Sequence, residues 1–495
     1  MYMRALIGLT ALMLGACAVG PNFKRPAPPP VADYGSASAP AQTAATDSPD
    51  GAAQRFVADL DIPGQWWTLF QSPTLSGLVS DGFKANPDLQ AAEAALRQAH
   101  ELYLAQRGSL LPTLQGSAGA TRSSLPTATL TPVTVSSAQI YSLYTAQLSL
   151  SYAVDVFGGT RRTIEAAKAQ EEISHFQLEA AYVSLSTNIV LSAVQEASLR
   201  GQITATERLL ALQHQITETV RGQRALGTAS ELDLLTQLAS EAQTATTLPP
   251  LQKQLGQTRD ALTALLGRLP SQEPAEQFQL QELSLPTDLP ASVPSKLVNQ
   301  RPDVRAAEEN LHAASAQVGV ALADMLPQFP LTADVGSTAL TLGHLFSPYT
   351  EFWDLGASLS QTLFQGGALV HRHRAAEAAL DQAGEQYRST VIMACQNVAD
   401  TLKALRADAD ALNAAAAADR ATKATLDLAQ QQFGLGSISL VQLLNAEQAW
   451  QQAEINFIQA RANRYADTVA LFQALGGGWW NLKGETSNGQ SGPAN

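Results

Sequence analysis

Cysteine is scarce in this sequence: Cys17 and Cys395 are the only two among 495 residues. Two thiols are too few for a disulfide scaffold or for a zinc site made of cysteine alone. Cys395 follows an apolar run, residues 391–394, in which nothing would stabilise a thiolate. We therefore expect an unreactive buried thiol at Cys395.

Long hydrophobic runs and positive charge are also missing. No apolar run reaches the roughly 18 residues of a bilayer-spanning helix. Charged residues make up only 15% of the chain, and Lys plus Arg number 31 against 44 Asp plus Glu, a net charge of -13. A chain of this charge repels a phosphate backbone, so nucleic acid is not an expected partner.

The sequence lacks the motifs of common enzyme classes. Its seven histidines form no HExxH group, and neither a phosphate-binding glycine loop nor a nucleophile elbow occurs. His371 and His373 invite a metal interpretation, but alternate residues of a helix point about 200° apart, so the two rings cannot readily share one ion. We expect no enzyme activity, no cofactor and no metal.

The N-terminus carries the pattern of a bacterial lipoprotein. A 12-residue apolar run, residues 5–16, ends in small residues directly before Cys17. This pattern predicts a signal peptide over residues 1–16 and a diacylglycerol on the thiol of Cys17. The alternative is an ordinary signal peptide with an incidental cysteine. Ala18 stands where retention at the inner membrane usually has Asp, so the pattern favours the outer membrane, with residues 17–54 as a lipidated, extended leader rich in Pro, Ala, Ser and Thr.

The rest of the chain contains a repeat. Asn86-Pro87-Asp88 recurs 215 residues later as Arg301-Pro302-Asp303, and the segment Leu226–Ser230 recurs 209 residues later as Leu435–Ser439. Each copy is predicted to run helix, strand, strand, long helix, turn, helix. We therefore divide the chain into two tandem repeats and three connecting parts: repeats 86–269 and 301–476, equatorial segments 55–85 and 270–300, and a C-terminal tail 477–495.

Alternating polar and apolar residues predict four strands, at about 113–124, 140–157, 328–337 and 352–364. Strands of this kind fit a tilted outer-membrane strand, but a half-buried soluble sheet has the same alternation. The lipoprotein pattern favours the membrane. Four strands cannot close a barrel, and open edges are not tolerated in lipid, so three chains with twelve strands are inferred.

Helical lengths give an independent check. Residues 160–224 would span about 98 Å, and residues 86–111 and 228–267 about 39 Å and 60 Å, at about 1.5 Å per residue. Each long helix can thus lie beside two shorter helices placed end to end. A spacing of apolar residues near 3.5 predicts coiled-coil packing, and Pro249-Pro250 should break or kink the segment 228–267.

Several motifs resemble the NodT-type lipoprotein branch of the TolC family of outer-membrane efflux proteins. They are the run from Cys17 to Pro26, Trp66-Trp67 with Phe70, Asn86-Pro87-Asp88-Leu89, Asp155-Val156-Phe157-Gly158, Arg301-Pro302-Asp303-Val304 and Leu363-Phe364-Gln365-Gly366-Gly367. The resemblance implies a mainly helical homotrimer in which a 12-stranded membrane β-barrel continues into a 12-helix coiled-coil α-barrel.

The resemblance also implies the function. It indicates the exit duct of a tripartite efflux system of the RND type, which passes small molecules from a periplasmic membrane-fusion adaptor and an inner-membrane pump through the outer membrane. An outlet for type I protein secretion and a lipid-anchored periplasmic scaffold without a pore remain as alternatives.

Three groups of candidate site residues follow from the residues and the resemblance. The repeated turns are the expected adaptor-docking tips, through Leu226, Gly227, Ser230, Leu435, Gly436 and Ser439, although simple helix-capping turns would carry the same residues. The expected periplasmic gate comprises Phe433, Val441, Gln442, Asn445, Asp233 and Thr236.

The gate differs from the family pattern, which places a ring of acids beyond the second turn. Gln442 and Asn445 occupy those positions here, and only Asp233 supplies a carboxylate. We therefore expect apolar contacts and amide hydrogen bonds at the constriction. Finally, the basic side chains at the starts of the two long helices are expected to contact phosphates of the membrane's inner leaflet, with solvated surface charge as the alternative; they are Arg161, Arg162, Arg372 and Arg374.

Overall fold

The computed structural model describes residues 18–31, 33–34, 41–125, 139–291 and 293–486. Cys17, the predicted lipidation site, lies outside the described residues. The fold is mainly helical, and the chain divides into two compact units. The first unit contains segments 1–26, 96–174 and 307–387, and the second contains 27–95, 175–306 and 388–495.

The described helices are as follows: α1 Pro73–Ala85, α2 Pro87–Gly108, α3 Gly159–Ala225, α4 Glu231–Ala245, α5 Leu248–Leu265, α6 Pro294–Gln300, α7 Pro302–Ala323, α8 Ala368–Gly434, α9 Leu440–Ala474 and α10 Trp479–Thr486. The two longest, α3 and α8, have 67 residues each and contribute to both units. No helix in the described part of the chain is both long and apolar enough to cross a membrane.

The described strands are β1 Arg55–Ala58, β2 Thr113–Leu125, β3 Gln139–Val154, β4 Asp288–Ala291, β5 Phe329–Ala339 and β6 Glu351–Ala357. The first unit contains the four-stranded sheet, in the order β2-β3-β5-β6, and every neighbouring pair is antiparallel. Each repeat therefore supplies one hairpin, and β3 joins β5 at the centre of the sheet.

The fourth strand is shorter than predicted. It ends at Ala357, although the alternation continues to about residue 364. The cause lies on the neighbouring strand, where Pro330 comes opposite the next position: Pro330 has no N–H, so it accepts from the Ser358 N–H at 3.1 Å but donates nothing. Pairing resumes only as an isolated bridge between Gln328 and Ser360.

Glycines make the return from sheet to helix in the first unit. Gly158, before α3, has φ +78°, and Gly366 and Gly367, before α8, have φ +58° and +82°. These backbone conformations disfavour side chains with a Cβ. The backbone N–H groups of Thr160 and Arg161 donate to the Asp155 carboxylate, which satisfies two of the free donors at the start of α3.

The second unit is held by apolar side chains of long helices and of the connecting segments. On α9, the apolar side chains of Tyr465, Val469 and Phe472 are buried, and Trp66 stacks on Phe472 with ring centroids 5.3 Å apart. The equatorial segments meet here, because β1 pairs in parallel with β4.

Two further sequence expectations are resolved in the second unit. The predicted break in the segment 228–267 is confirmed: α4 ends at Ala245, and Pro249 lies in the first turn of α5, where a missing N–H costs nothing. The segment 477–495 is not only a tail, since its described part forms α10 and the Trp479 ring donates to the Gln300 carbonyl at 2.6 Å. Cys395 is half-buried rather than buried, and burial raises the pKa of its thiol.

Candidate functional site

The turn between α3 and α4 is a capped reversal. Gly227 has φ +80°, and the Thr228 N–H donates to the Gln223 carbonyl at 2.9 Å, which closes the end of α3. Ser230 then caps α4: its hydroxyl accepts from the Asp233 N–H at 3.1 Å, and the Asp233 carboxylate accepts from the Ser230 N–H at 2.9 Å. The turn leaves Leu226 82% exposed at its apex.

The turn between α8 and α9 repeats this geometry. Gly436 has φ +70°, and the Ser437 N–H donates to the Gln432 carbonyl at 2.8 Å. Ser439 caps α9 through a reciprocal pair with Gln442, and Leu435 is 81% exposed. The second turn thus has the same cap, reversal and exposed leucine as the first.

Two predicted gate residues are partners in these caps. Asp233 and Gln442 are the third residues of α4 and α9, and each closes a capping box with the serine before it. The hydrogen bonds from Ser230 lower the pKa of the Asp233 carboxyl, so it is ionised at neutral pH. The spacing of Ser and Asp or Gln three residues apart was a signal for this role that the sequence interpretation overlooked.

The other predicted gate residues divide between surface and core. Val441 and Asn445 are exposed, and Thr236 is half-buried and donates to the Leu232 carbonyl at 2.7 Å. Phe433 is half-buried and packs against an apolar cluster below the two turns. That cluster joins α3, α4, α8 and α9, and we call it the tip cluster; it consists of Ile216, Val220, Leu234, Leu426, Ala429, Leu440, Leu443, Leu444 and Ala446.

One buried acid near the tip cluster was missed. Glu447 is 0% exposed and lies one helical repeat beyond Leu440, Leu443 and Leu444 on α9. The spacing 440, 443, 444, 447 is that of one helix face, so the sequence contained the signal that Glu447 points inward. Burial raises the pKa of Glu447 to about 7, while a hydrogen bond from Gln213 opposes the shift.

The four-stranded sheet has one apolar face. The strand register places Leu114, Leu150, Ala333 and Leu355 in one row across the sheet, and Leu148, Val335 and Trp353 in the next. This face is open to the surroundings of the chain, with Trp353 75% and Leu355 73% exposed. An exposed apolar face of this kind indicates a surface that contacts lipid or another protein.

The opposite face of the sheet is polar. Ser149 donates to the Asp334 carboxylate at 2.5 Å, and Asp354 lies opposite Asp334 on the next strand. The outer sides of β2 and β6 have no strand partner in the described part of the chain. One chain therefore presents an apolar face, a polar face and two open edges.

The predicted membrane-facing arginines do not form one group, and the prediction for Arg162 is wrong. Arg162 is only 3% exposed, because other groups of the protein surround its guanidinium. It donates to the Val19 carbonyl at 3.1 Å, to Asn22 Oδ1 at 2.7 Å and to Glu165 at 2.7 Å, with longer contacts to two further carbonyls. These partners all belong to the protein, and they bury the guanidinium away from the surface where a lipid phosphate could bind.

The three other arginines remain at the surface to different degrees. Arg161 donates to the Asp155 carboxylate at 3.0 Å through its backbone and at 3.2 Å through its side chain. Arg372 and Arg374 are exposed in α8, and His373 between them pairs with Glu377 at 3.6 Å. Among the described residues, no group of three or more His, Cys, Asp or Glu could hold a metal ion.

Arg162, Phe157 and His312 form the surface against which the residues after Cys17 pack. The Val19 N–H donates to the Phe157 carbonyl at 2.9 Å, and Phe23 stacks on His312 with ring centroids 4.4 Å apart. Glycines make the close approach possible: a Cβ on Gly158 would lie 2.5 Å from Ala18. We call residues 18–25 the anchor segment.

Capped turns between long helices and an antiparallel sheet with an exposed apolar face fit an outer-membrane channel protein. The chain belongs to the outer membrane efflux protein family, whose sequence pattern matches residues 78–268 and 293–477. It is an outer-membrane efflux channel, of a transport family rather than an enzyme family.

Relatives of known name and structure extend over nearly the whole chain. The toluene efflux pump outer membrane protein TtgF of Pseudomonas putida is 29% identical over 485 residues, which cover 97% of this chain and 98% of the relative. The pyoverdine export outer membrane protein OpmQ of Pseudomonas putida is 30% identical over 84% of this chain and 89% of its own length. The structure of the outer-membrane channel OprN superimposes with a TM-score of 0.83 at 28% identity, over 94% of this chain and 100% of OprN.

Proposed function

We propose that three copies of this chain form the outer-membrane exit duct of a tripartite RND-type efflux system. The four-stranded sheet carries this proposal, because it combines an exposed apolar face with two edges that have no strand partner among the described residues. Open edges are not tolerated in lipid, and three copies supply twelve strands, which is enough for a closed, water-filled barrel. The apolar face then meets lipid and the polar face lines the lumen.

The long helices of the three copies continue this duct as a 12-helix tunnel. Its far end carries the capped turns, and we propose that Leu226 and Leu435 there contact a periplasmic adaptor, with Gly227, Ser230, Gly436 and Ser439 shaping the contact surface. Their support is the repeated geometry, which presents an exposed leucine beside open backbone at both turns. The gate proposed nearby uses Val441, Gln442, Asn445, Thr236, Asp233 and Phe433.

The N-terminus is proposed to be anchored through a diacylglycerol on Cys17. The contacts of the anchor segment support this proposal, since Arg162 binds the backbone at Val19, two residues after the proposed lipidation site. Each CH₂ of a lipid chain that is buried in the membrane contributes about 0.8 kcal/mol to membrane binding. With the attachment point fixed, this binding would hold the protein at one depth in the membrane. Arg372, Arg374 and the partly engaged Arg161 are the side chains proposed to meet membrane phosphates.

Cysteine cross-linking tests the closed barrel directly. In a Cys395→Ala background, single cysteines are placed along β2 and β6 and tested in pairs in outer membranes. Closure between copies predicts disulfide-linked products that end at three chains. A Thr145→Cys/Thr338→Cys pair, whose residues lie opposite each other in one sheet, is the control for a bond within a chain. Products that stop at two chains, or that continue beyond three, would contradict the trimer.

A further inference from the structure

Glu447 and Gln213 form an incomplete hydrogen-bonded pair inside the helical unit. The Gln213 Nε2 amide donates to Glu447 Oε2 at 3.1 Å, which joins α3 to α9. The second oxygen of each group, Gln213 Oε1 and Glu447 Oε1, is buried and has no hydrogen-bond partner. Both atoms are acceptors when Glu447 is ionised, and an unsatisfied buried acceptor costs about 1–3 kcal/mol.

No positive charge compensates Glu447. It makes no ion pair with any residue in the described part of the chain. The charged groups on the helices around it pair with other residues instead: His214 with Glu241 at 3.2 Å, Lys423 with Asp427 at 2.5 Å, and Arg208 with Glu454 at 3.9 Å, the last carboxyl also facing Asp419. An ionised Glu447 would therefore be an unpaired buried charge, which is the costly state.

A metal ion does not fit this position. One further buried oxygen without a partner, Gln237 Oε1, lies on α4, whose Gln237 amide donates to the Gln213 carbonyl at 3.1 Å. Three acceptor oxygens with one carboxylate fall short of the six to eight ligands that calcium takes and the octahedral set that magnesium requires. A single proton satisfies two of the three.

We propose that Glu447 and Gln213 form a proton-binding site, in which Glu447 Oε1 carries a proton from bulk water and donates it to Gln213 Oε1. The resulting acid–amide pair has two hydrogen bonds, N–H to Oε2 and O–H to Oε1, and links α3 to α9. When the site empties, the proton returns to water and Glu447 becomes an anion.

The raised pKa of Glu447 determines how the packing of α9 on α3 depends on pH. Its pKa is raised by burial from 4.5 to about 7, so the packed state holds a proton that a solvated carboxyl has already released. Between pH 4.5 and about pH 7, the packed state of α3 and α9 binds more protons than a state in which Glu447 is solvated. The stability of the packed state therefore falls as pH rises through this range. The packing of α9 on α3 is strongest in acid and weakest above neutral pH.

This inference rests on the proposed function for its consequence. Glu447 adjoins the tip cluster, against which Phe433 of the proposed gate packs. Protonation therefore stabilises the helix packing at the proposed gate end of the duct, and ionisation loosens that packing. The periplasmic end of the channel would then respond to proton concentration through an acid buried in the helix packing rather than through an acid in the lumen.

Infrared spectroscopy and hydrogen exchange on the full-length protein test the site without relying on conduction. The difference spectrum between wild type and Glu447→Gln should contain a protonated-carboxyl C=O band that disappears as pH rises through 7. Exchange of amides around residues 213 and 440–447, corrected for intrinsic rates, should increase roughly 30-fold from about pH 5.5 to about pH 8.5, if opening solvates Glu447.

Matched variants separate proton binding at Glu447 from other causes of pH-dependent amide exchange. Glu447→Gln retains a donor and an acceptor for Gln213, so its exchange should stay slow and independent of this titration. Glu218→Gln removes an exposed acid from α3 and should behave as wild type. A wild-type spectrum without the band, or exchange that follows calcium or sodium rather than pH, would overturn the proton site. A protein with the band that conducts no ions would instead contradict the channel.

Discussion

Arg162 is the residue whose role differs most from what its position in the sequence suggests. An arginine at the start of a helix opposes the helix dipole and is expected at the surface. Here, carbonyl and carboxylate oxygens surround it, and several belong to the anchor segment. Its guanidinium therefore binds the anchor segment, next to the proposed lipidation site Cys17, instead of a lipid phosphate.

Replacing Arg162 should release the anchor segment. Arg162→Gln leaves buried carbonyls without donors and Glu165 with only His312 as a partner, so we expect the free energy of unfolding to fall by about 3 kcal/mol. Trypsin should then cleave after Lys24 much faster than in wild type. Arg161→Gln removes only a partly exposed pair and should cost less than about 1 kcal/mol. Equal protease resistance in both variants would show that Arg162 does not hold the segment.

The gate residues predict weak sensitivity to multivalent cations. Gln442 and Asn445 carry no charge, and the Asp233 carboxylate already accepts hydrogen bonds from Ser230. We expect no strong, saturable block of conductance by divalent or trivalent ions. The double variant Gln442→Glu/Asn445→Asp would place six acids around a trimer and should create such a block. Strong block of the wild type would contradict a gate held by apolar and amide contacts.

At the level of single elements, the second turn depends on its cap. Ser439→Ala removes the acceptor for the Gln442 N–H and should destabilise the start of α9 by about 1 kcal/mol. Amide exchange at residues 440–442 should rise by about fivefold, since 1.4 kcal/mol corresponds to tenfold. Ser437→Ala is the control, because only the backbone of Ser437 is bonded in the turn. Unchanged exchange in Ser439→Ala would show that the cap contributes nothing.

The apolar face of the sheet predicts an asymmetric response to charge. Trp353→Lys or Leu355→Lys places a cation on the apolar face of β6, which meets lipid in the proposed barrel, and should cost about 2–4 kcal/mol near the membrane centre. The yield of protein resistant to urea extraction from outer membranes should fall. Gln147→Lys lies on the polar face and should insert normally. Loss of insertion in Gln147→Lys but not in Trp353→Lys would reverse the assignment of the two faces.

Elements differ in how far the sequence predicts them. The repeat located both turns, and the alternation located the first three strands to within a few residues, because these signals are local. The end of β6 was not predictable in this way, since it depends on Pro330 of the neighbouring strand. The role of Arg162 was missed for the same reason, because its partners Val19 and Asn22 are far away in the chain. Glu447, by contrast, could have been found from its spacing to Leu440, Leu443 and Leu444.

For the whole molecule, the low charge and the absence of a long apolar run have one explanation in the proposed trimer. Alternating strands need no continuous hydrophobic run to meet lipid, and long helices packed through small residues need few charges. The same proposal accounts for a sheet that is incomplete in one chain. Closure by three chains is therefore the claim on which the remaining proposals depend.

Single-channel recording from the purified full-length protein tests that claim most directly. Trimers isolated by size and added to planar bilayers should give discrete, uniform conductance steps, and monomers from the same preparation should give none. The Trp353→Lys variant should insert rarely but show steps of unchanged size when it does. Trimers that bind the bilayer without conducting, or monomers that conduct alone, would contradict a pore closed by three four-stranded sheets.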